Sequence, residues 1–300
     1  MKFGVMHVNS STMGSTSPTM RIAKFVASEL NNAPFIYNPE TANKYLKTKF
    51  DILFVKHGLL RFSNHRDQAL EIYNNAGMTV NLENDYTFEL DNRFKPAEET
   101  WSTVEGKTRY INWNRLTRFP IDQWKKQMPW ITPMNIGLFY YGAHRDDRVQ
   151  SFRQYFQKAP YPVTISSFRG SAKFLETCGD VAVISAFRDP RIPAQWPLTI
   201  YIEDATSHKL YCSPAARFYE CLQIGLAQVI DEATVPTFEK TGLALKKQFV
   251  VNSQRGVKSA LEYWKDIRND QRMLWYTDYG TDLRNQFWDA MKHSFNERRK

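Results

Sequence analysis

The sequence predicts an α/β protein of two Rossmann-like domains. Three observations carry this. Short apolar runs bounded by turn residues alternate with amphipathic stretches, as strands joined by helical crossovers do. The alternation occurs twice, on either side of a seam at KKQMPWITPMN (residues 125–135), where Pro129 and Pro133 interrupt regular structure. A chain of 300 residues can hold two domains, each with its own core.

In the first half, KFGVMHVN (residues 2–9) reads as a strand. The small-residue loop NSSTMGSTSP leads into an amphipathic helix with Ile22, Phe25, Val26 and Leu30 on its apolar face. Residues 34–37 form a second strand and DILFVKHG (residues 51–58) a third. A helix over residues 65–76 stops at Gly77, before the strand MTVNLEND.

In the second half, NIGLFYYG (residues 135–142) is a buried strand and AHRDDRVQSFRQYF a loop entering a helix. PVTISSF, GDVAVISAF and PLTIYIEDA are further strands. Then comes SPAARFYECLQIGLAQVID (residues 213–231), with Ser213 as cap, Pro214 in the first turn and Gly225 able to take the left-handed conformation after the last. Glu220 lies mid-helix with Arg217 one turn before it, and a short apolar strand follows. A helix near residues 256–264 comes next, and the tail holds two helical stretches broken around Tyr279 and Gly280. Strands alternating with helices imply right-handed crossovers, a parallel sheet and a ligand crevice at the carboxyl ends of the strands. The expected domains are residues 1–132 with a terminal helix at about 278–300, and residues 133–277.

Composition narrows the function. Lys plus Arg number 40 against 31 Asp plus Glu, a formal net charge of +9, which favours a polyanionic partner. Cys178, Cys212 and Cys221 have no metal-type spacing and suit a reducing compartment. Neither a G-x-G-x-x-G nor a P-loop pattern occurs, which argues against an ordinary dehydrogenase or NTPase. With no signal segment and no membrane-spanning run, the chain is expected to start at Met1 and work in the cytoplasm as a monomer.

The 213–231 segment resembles the carboxy-terminal half of the nucleotide-sugar site in GT-B glycosyltransferases, where a P-x-x-R-x-x-E-like helix is followed by a glycine and an apolar strand. The resemblance implies two domains facing across a cleft, with the final helix crossing back to the first, and it implies that Glu220 holds the donor ribose hydroxyls, with Arg217 beside it. Many retaining members carry a second glutamate eight positions earlier; here that position is Cys212, which leaves the sugar contact and the stereochemical outcome open. The loop after the first strand of the second domain is the family's diphosphate site, which points to Gly142, His144, Arg145 and Arg148, with Arg169 and Lys173 as lesser candidates. Arginine forks match phosphate oxygens bidentately, and the following helix turns its amino terminus to the same place. The residue 10–17 loop with Gly14 approaches donor or acceptor in this fold, or is a plain connector.

Transfer also needs a base for the acceptor hydroxyl. Asp85 after the MTVNLEN strand is the first choice, with Asp91 six residues on and Glu83 and His57 also near predicted strand ends; the alternative for each is a capping or turn role. Asp146 and Asp147 invite a metal reading, but between Arg145 and Arg148 at a helix start they fit first-turn acids, and no essential metal is expected.

Residues 93–130 mix cations with aromatics, Arg109, Arg115, Arg118, Lys125 and Lys126 with Trp113 among others. Cations can follow a phosphate backbone while rings stack on or wedge beside bases; equally, the rings can be core and the cations a solvated rim. Compact size and basic charge are similar to phage DNA-modifying glycosyltransferases. The expectation is therefore a hexosyltransferase moving a sugar from a nucleotide sugar, UDP-glucose first, to a hydroxymethylated pyrimidine in DNA of a phage-infected bacterium. A small-molecule, lipid or cell-wall acceptor, or a non-enzymatic nucleic-acid binder, is the alternative.

Overall fold

The computed structural model describes residues 1–8, 18–60, 65–83, 92–102, 109–111, 113, 133–167, 170–185, 192–203, 214–240, 245–274 and 283–297. The chain divides into two units, Met1–Thr117 with Asp282–Lys300, and Arg118–Thr281.

In the first unit, β1 (Phe3–Met6), β2 (Phe35–Ile36), β3 (Ile52–Val55), β4 (Met78–Glu83), β5 (Glu99–Ser102) and β6 (Arg109–Tyr110) form a parallel sheet in the order β2-β1-β3-β4-β5-β6. All four residues of β3, ILFV, are buried, the uninterrupted apolar run of a parallel strand covered on both faces. Helices α1 (Pro18–Glu29), α2 (Pro39–Tyr45), α3 (His57–Leu60) and α4 (Arg66–Asn75) lie between the strands in sequence. Ile22, Val26 and Leu30 are buried, as their spacing predicts. Asn38 and Thr41 close a reciprocal capping pair that starts α2.

The second unit's sheet contains β7 (Leu138–Tyr141), β8 (Val163–Ser167), β9 (Ala182–Ser185), β10 (Leu198–Tyr201), β11 (Ala227–Asp231) and β12 (Val250–Val251), all parallel, in the order β12-β11-β10-β7-β8-β9. Counted within the unit this is the Rossmann order, with the direction of winding reversing between β7 and β10. Ligands of such sheets bind outside the carboxyl ends of the strands at that reversal. Helices α5 (Val149–Phe156), α6 (Ser171–Cys178), α7 (Ala216–Gln223), α8 (Val235–Lys240), α9 (Gln254–Glu262) and α10 (Trp264–Leu274) complete the unit. Its core is strongly aromatic, with Tyr140, Phe152, Phe156 and Phe174 in mutual ring contact.

The last helix, α11 (Leu283–Glu297), belongs to the first unit. Phe287 packs edge-on against Phe25 and Trp101, at centroid distances of 5.6 and 5.8 Å, and Trp288 Nε1 donates to Glu29 Oε2. The crossing back of the terminal helix is thus driven by ring burial.

Candidate active site

The Arg217/Glu220 helix stands where the second sheet reverses. α7 begins at Ala216, later than the cap at Ser213 predicts, because Ala215 is extended (φ −60°, ψ 161°) and its N–H donates to Tyr201 Oη at 2.7 Å instead of opening a helical turn. Gly225 ends the helix at φ +66°, as expected of a left-handed stop. From α7, Glu220 Oε2 accepts a 2.8 Å hydrogen bond from Tyr141 Oη, at the carboxyl end of β7. The same hydroxyl lies 3.3 Å from the Arg217 carbonyl and 3.7 Å from Cys221 Sγ. Burial, then the neighbouring Cys221 and Glu220, hold the Tyr141 hydroxyl well above its ordinary pKa, so it stays protonated and donates.

Arg217 ties the two reversal strands together. Nη1 donates to Tyr140 Oη (3.0 Å) and the Tyr141 carbonyl (3.2 Å), and Nη2 to the Ile202 carbonyl (2.7 Å), just past β10. The guanidinium also lies over the rings of Tyr140 and Tyr201. Burial opposes its charge, but Tyr140, Glu203 and Tyr201 outweigh that and raise its pKa, keeping it cationic. Glu203 is shared: Oε1 accepts from Arg148 Nη2 at 3.1 Å and lies 3.7 Å from Arg217 Nη2, while Oε2 accepts from Tyr201 Oη. The Arg148 and Glu203 side chains are only 6% and 4% exposed. Gly142 has φ +154°, and a Cβ there would sit 2.5 Å from Arg217 Nη1, so the absent side chain is what lets the guanidinium approach.

Of the residues expected from sequence, Gly142, Arg148, Arg217 and Glu220 therefore gather at one strand reversal. His144 lies beside them in the chain but turns into the protein, its side chain 4% exposed. Nε2 bonds Thr177 Oγ1 at 3.0 Å, the ring contacts Phe152 and Phe174, and burial lowers its pKa, with Asp146 pulling the other way. Gly170, at φ +90°, makes room for it. Arg145, Asp146 and Asp147 are exposed, the two acids in the short turn that opens α5; Lys173 is exposed on α6 and lies 3.7 Å from Asp146. Among the described residues no group of His, Cys, Asp or Glu is arranged to hold a metal ion.

In the first unit, His57 is buried after β3. Its N–H donates to Asn81 Oδ1 (3.1 Å), its Nε2 bonds Tyr73 Oη (2.7 Å), and burial together with the Lys56 charge lowers its pKa to about 4. Arg109 binds Glu99 through Nε (2.7 Å) and Nη2 (2.6 Å). Trp113 is fully buried, stacked on Trp101, with Nε1 donating to the Trp101 carbonyl. Gly14, Asp85, Asp91, Arg115, Arg118, Lys125, Lys126, Arg169 and Cys212 lie outside the described residues, as does the side chain of Glu83. Tyr140, Tyr141, Tyr201 and Glu203 were not singled out from sequence. The only local signal was a Tyr-Tyr-Gly strand end and a Tyr-x-Glu strand end.

No family model matches the chain, and no curated protein matches it. Solved structures do. T4 phage BGT in complex with its UDP-glucose substrate superposes with a TM-score of 0.70 at 12% identity, over 97% of this chain and 99% of that one. A structure of the DNA-modifying enzyme β-glucosyltransferase with and without uridine diphosphoglucose gives 0.68 at 12% identity over the same shares, as does T4 phage BGT in complex with UDP and Mn2+. AviGT4, a glycosyltransferase of avilamycin A biosynthesis, gives 0.52 at 8% identity, over 96% of each chain. These likenesses establish the GT-B fold, with its two parallel-sheet Rossmann-type units.

Proposed function

We propose that this protein is a glycosyltransferase that takes a hexose from a nucleotide sugar, UDP-glucose first, and transfers it to the hydroxyl of a hydroxymethylated pyrimidine in DNA. The observation that carries the donor reading is the Tyr141–Glu220 bond at the β7/β10 reversal. It holds a carboxylate beside the carboxyl end of β7, and that carboxylate has lone pairs enough to accept from both hydroxyls of a ribose as well. Arg217 lies one turn away on the same helix and meets buried Arg148 at Glu203, and exposed Arg145 precedes the short turn that opens α5. The likeness to the UDP-glucose complex of T4 phage BGT supports the same donor class.

The acceptor oxygen attacks the anomeric carbon, its proton passes to a carboxylate, and the bond to the diphosphate breaks with the electron pair leaving on phosphate oxygen. Cationic side chains near that oxygen lower the barrier by stabilising developing charge. We assign the base to Asp85, two residues past the end of β4 in sequence, with Asp91 second. His57 suits bracing better, since its ring is buried and already bonded to Tyr73. The DNA acceptor is supported by the formal charge of +9 and by the fold shared with a DNA-modifying glucosyltransferase.

Calorimetric titration with UDP-glucose tests the donor half. The parent should bind, and Glu220→Ala should weaken binding by roughly a hundredfold, the worth of two charge-assisted bonds at about 1.5 kcal/mol each. Equal affinity of parent and folded mutant would take Glu220 out of the site.

A further inference from the structure

We infer that Glu203 is a positioning residue for the nucleoside end of the donor, acting on the Glu220 carboxylate through Arg217 and Tyr141. The inference rests on the reading of Glu220 as the ribose-binding carboxylate. Glu203 lies just past β10, on the other side of the reversal from Tyr141, and bonds Arg148 and Tyr201. The route from it to Glu220 is continuous. Glu203 sits against the Arg217 guanidinium; that guanidinium is bonded to the Tyr140 hydroxyl and the Tyr141 and Ile202 carbonyls; and the Tyr141 hydroxyl donates to Glu220. Arg217 and Glu220 share one face of α7, so the guanidinium anchors the helix to the strand end from which Tyr141 reaches its partner.

The cluster is an expensive way to hold a fold together. A carboxylate with two arginines and a tyrosine around it, all nearly excluded from water, must offset the desolvation of each charge, and apolar side chains of similar volume commonly stabilise as well. Its place at the strand reversal, not in the middle of the core, fits orientation of a ligand-binding group. The ligand chemistry it serves is a vicinal diol, the ribose of a nucleoside, and not the sugar or the diphosphate.

A double-mutant cycle on Glu203→Gln and Glu220→Gln tests this, with uridine and UDP titrated calorimetrically and initial rates measured on UDP-glucose. Glu203→Gln keeps the shape and removes the charge. It should weaken uridine and UDP by similar factors of about tenfold, and raise KM for UDP-glucose more than it lowers kcat, while Glu203→Asp recovers part of the loss. In the Glu220→Gln background the same change should cost less than about twofold, because the group being positioned is gone. Additive losses overturn the inference while leaving the donor site intact. A parent that binds neither uridine nor UDP overturns the donor reading and this inference with it. If Glu203→Gln does not fold, Tyr141→Phe removes only the hydroxyl that completes the route. It should reproduce both the loss and the non-additivity with Glu220→Gln, and additivity there overturns the inference equally.

Discussion

Arg145 and Arg148 carry the same charge one turn apart and meet different surroundings. Arg148 is buried on Glu203, so Arg148→Ala leaves a buried carboxylate with one fewer cation and should destabilise the fold by about 3 to 5 kcal/mol, as breaking a buried pair does, lowering the melting temperature with it. Arg145 is exposed, and Arg145→Ala should leave melting unchanged while weakening UDP more than uridine. Calorimetry and thermal unfolding on the two variants separate the roles; equal loss of uridine and UDP in Arg145→Ala would remove it from the diphosphate. His7 and His57 behave differently again. Both are buried, and burial together with Lys56 lowers each pKa from 6.5 to about 4. Between those values the unfolded chain binds protons that the folded chain refuses. Stability should therefore be full above pH 6.5 and fall as pH drops towards 4, by on the order of 3 kcal/mol per histidine at the limit. Unfolding followed from pH 7 to 4.5 should show this loss, and His7→Gln should flatten it; a parent equally stable at both ends would contradict the buried neutral state.

Single elements explain what the sequence disclosed and what it hid. β3, β7 and β11 were legible because apolar runs of that length have no other use in an alternating chain, and α7 because its glycine stop and its spacing agree. β5, β6 and β12 were not: ETWS and RY are partly polar, VV is only two residues long, and only pairing with a neighbouring strand makes them strands. The segment that holds β5 and β6 read equally well as a nucleic-acid surface or a core, since rings and cations suit both. In the structure Trp113 stacks on Trp101, and Arg109 pairs with Glu99 across β5 and β6. Trp113→Ala should accordingly cost about 3 to 5 kcal/mol and lower the melting temperature by several degrees. Unchanged melting with impaired DNA turnover would instead return the ring to the DNA surface. Glu203 and Tyr141 were hidden for a topological reason. They approach one another only because β10 pairs with β7, and neither strand announces its neighbour.

At the scale of the whole molecule, the fold, the reversal crevice and the charge constrain the acceptor less than the donor. The GT-B fold serves a DNA-modifying enzyme and an antibiotic-pathway enzyme alike, so the fold alone does not choose an acceptor. The formal charge of +9 predicts that binding to DNA weakens steeply with salt, log Kd rising with log salt by about 0.9 for each phosphate contacted. The most direct measurement is transfer itself. The protein is incubated with a panel of nucleotide sugars and hydroxymethylated DNA, with and without Mn2+, and the DNA is digested to nucleosides and weighed by mass spectrometry. The account predicts a hexose increment on the hydroxymethylated pyrimidine with UDP-glucose, absent on unmodified DNA and lost in Glu220→Ala. No increment from any donor, together with no release of UDP or other nucleotide in the presence of DNA or small hydroxyl acceptors, would contradict it.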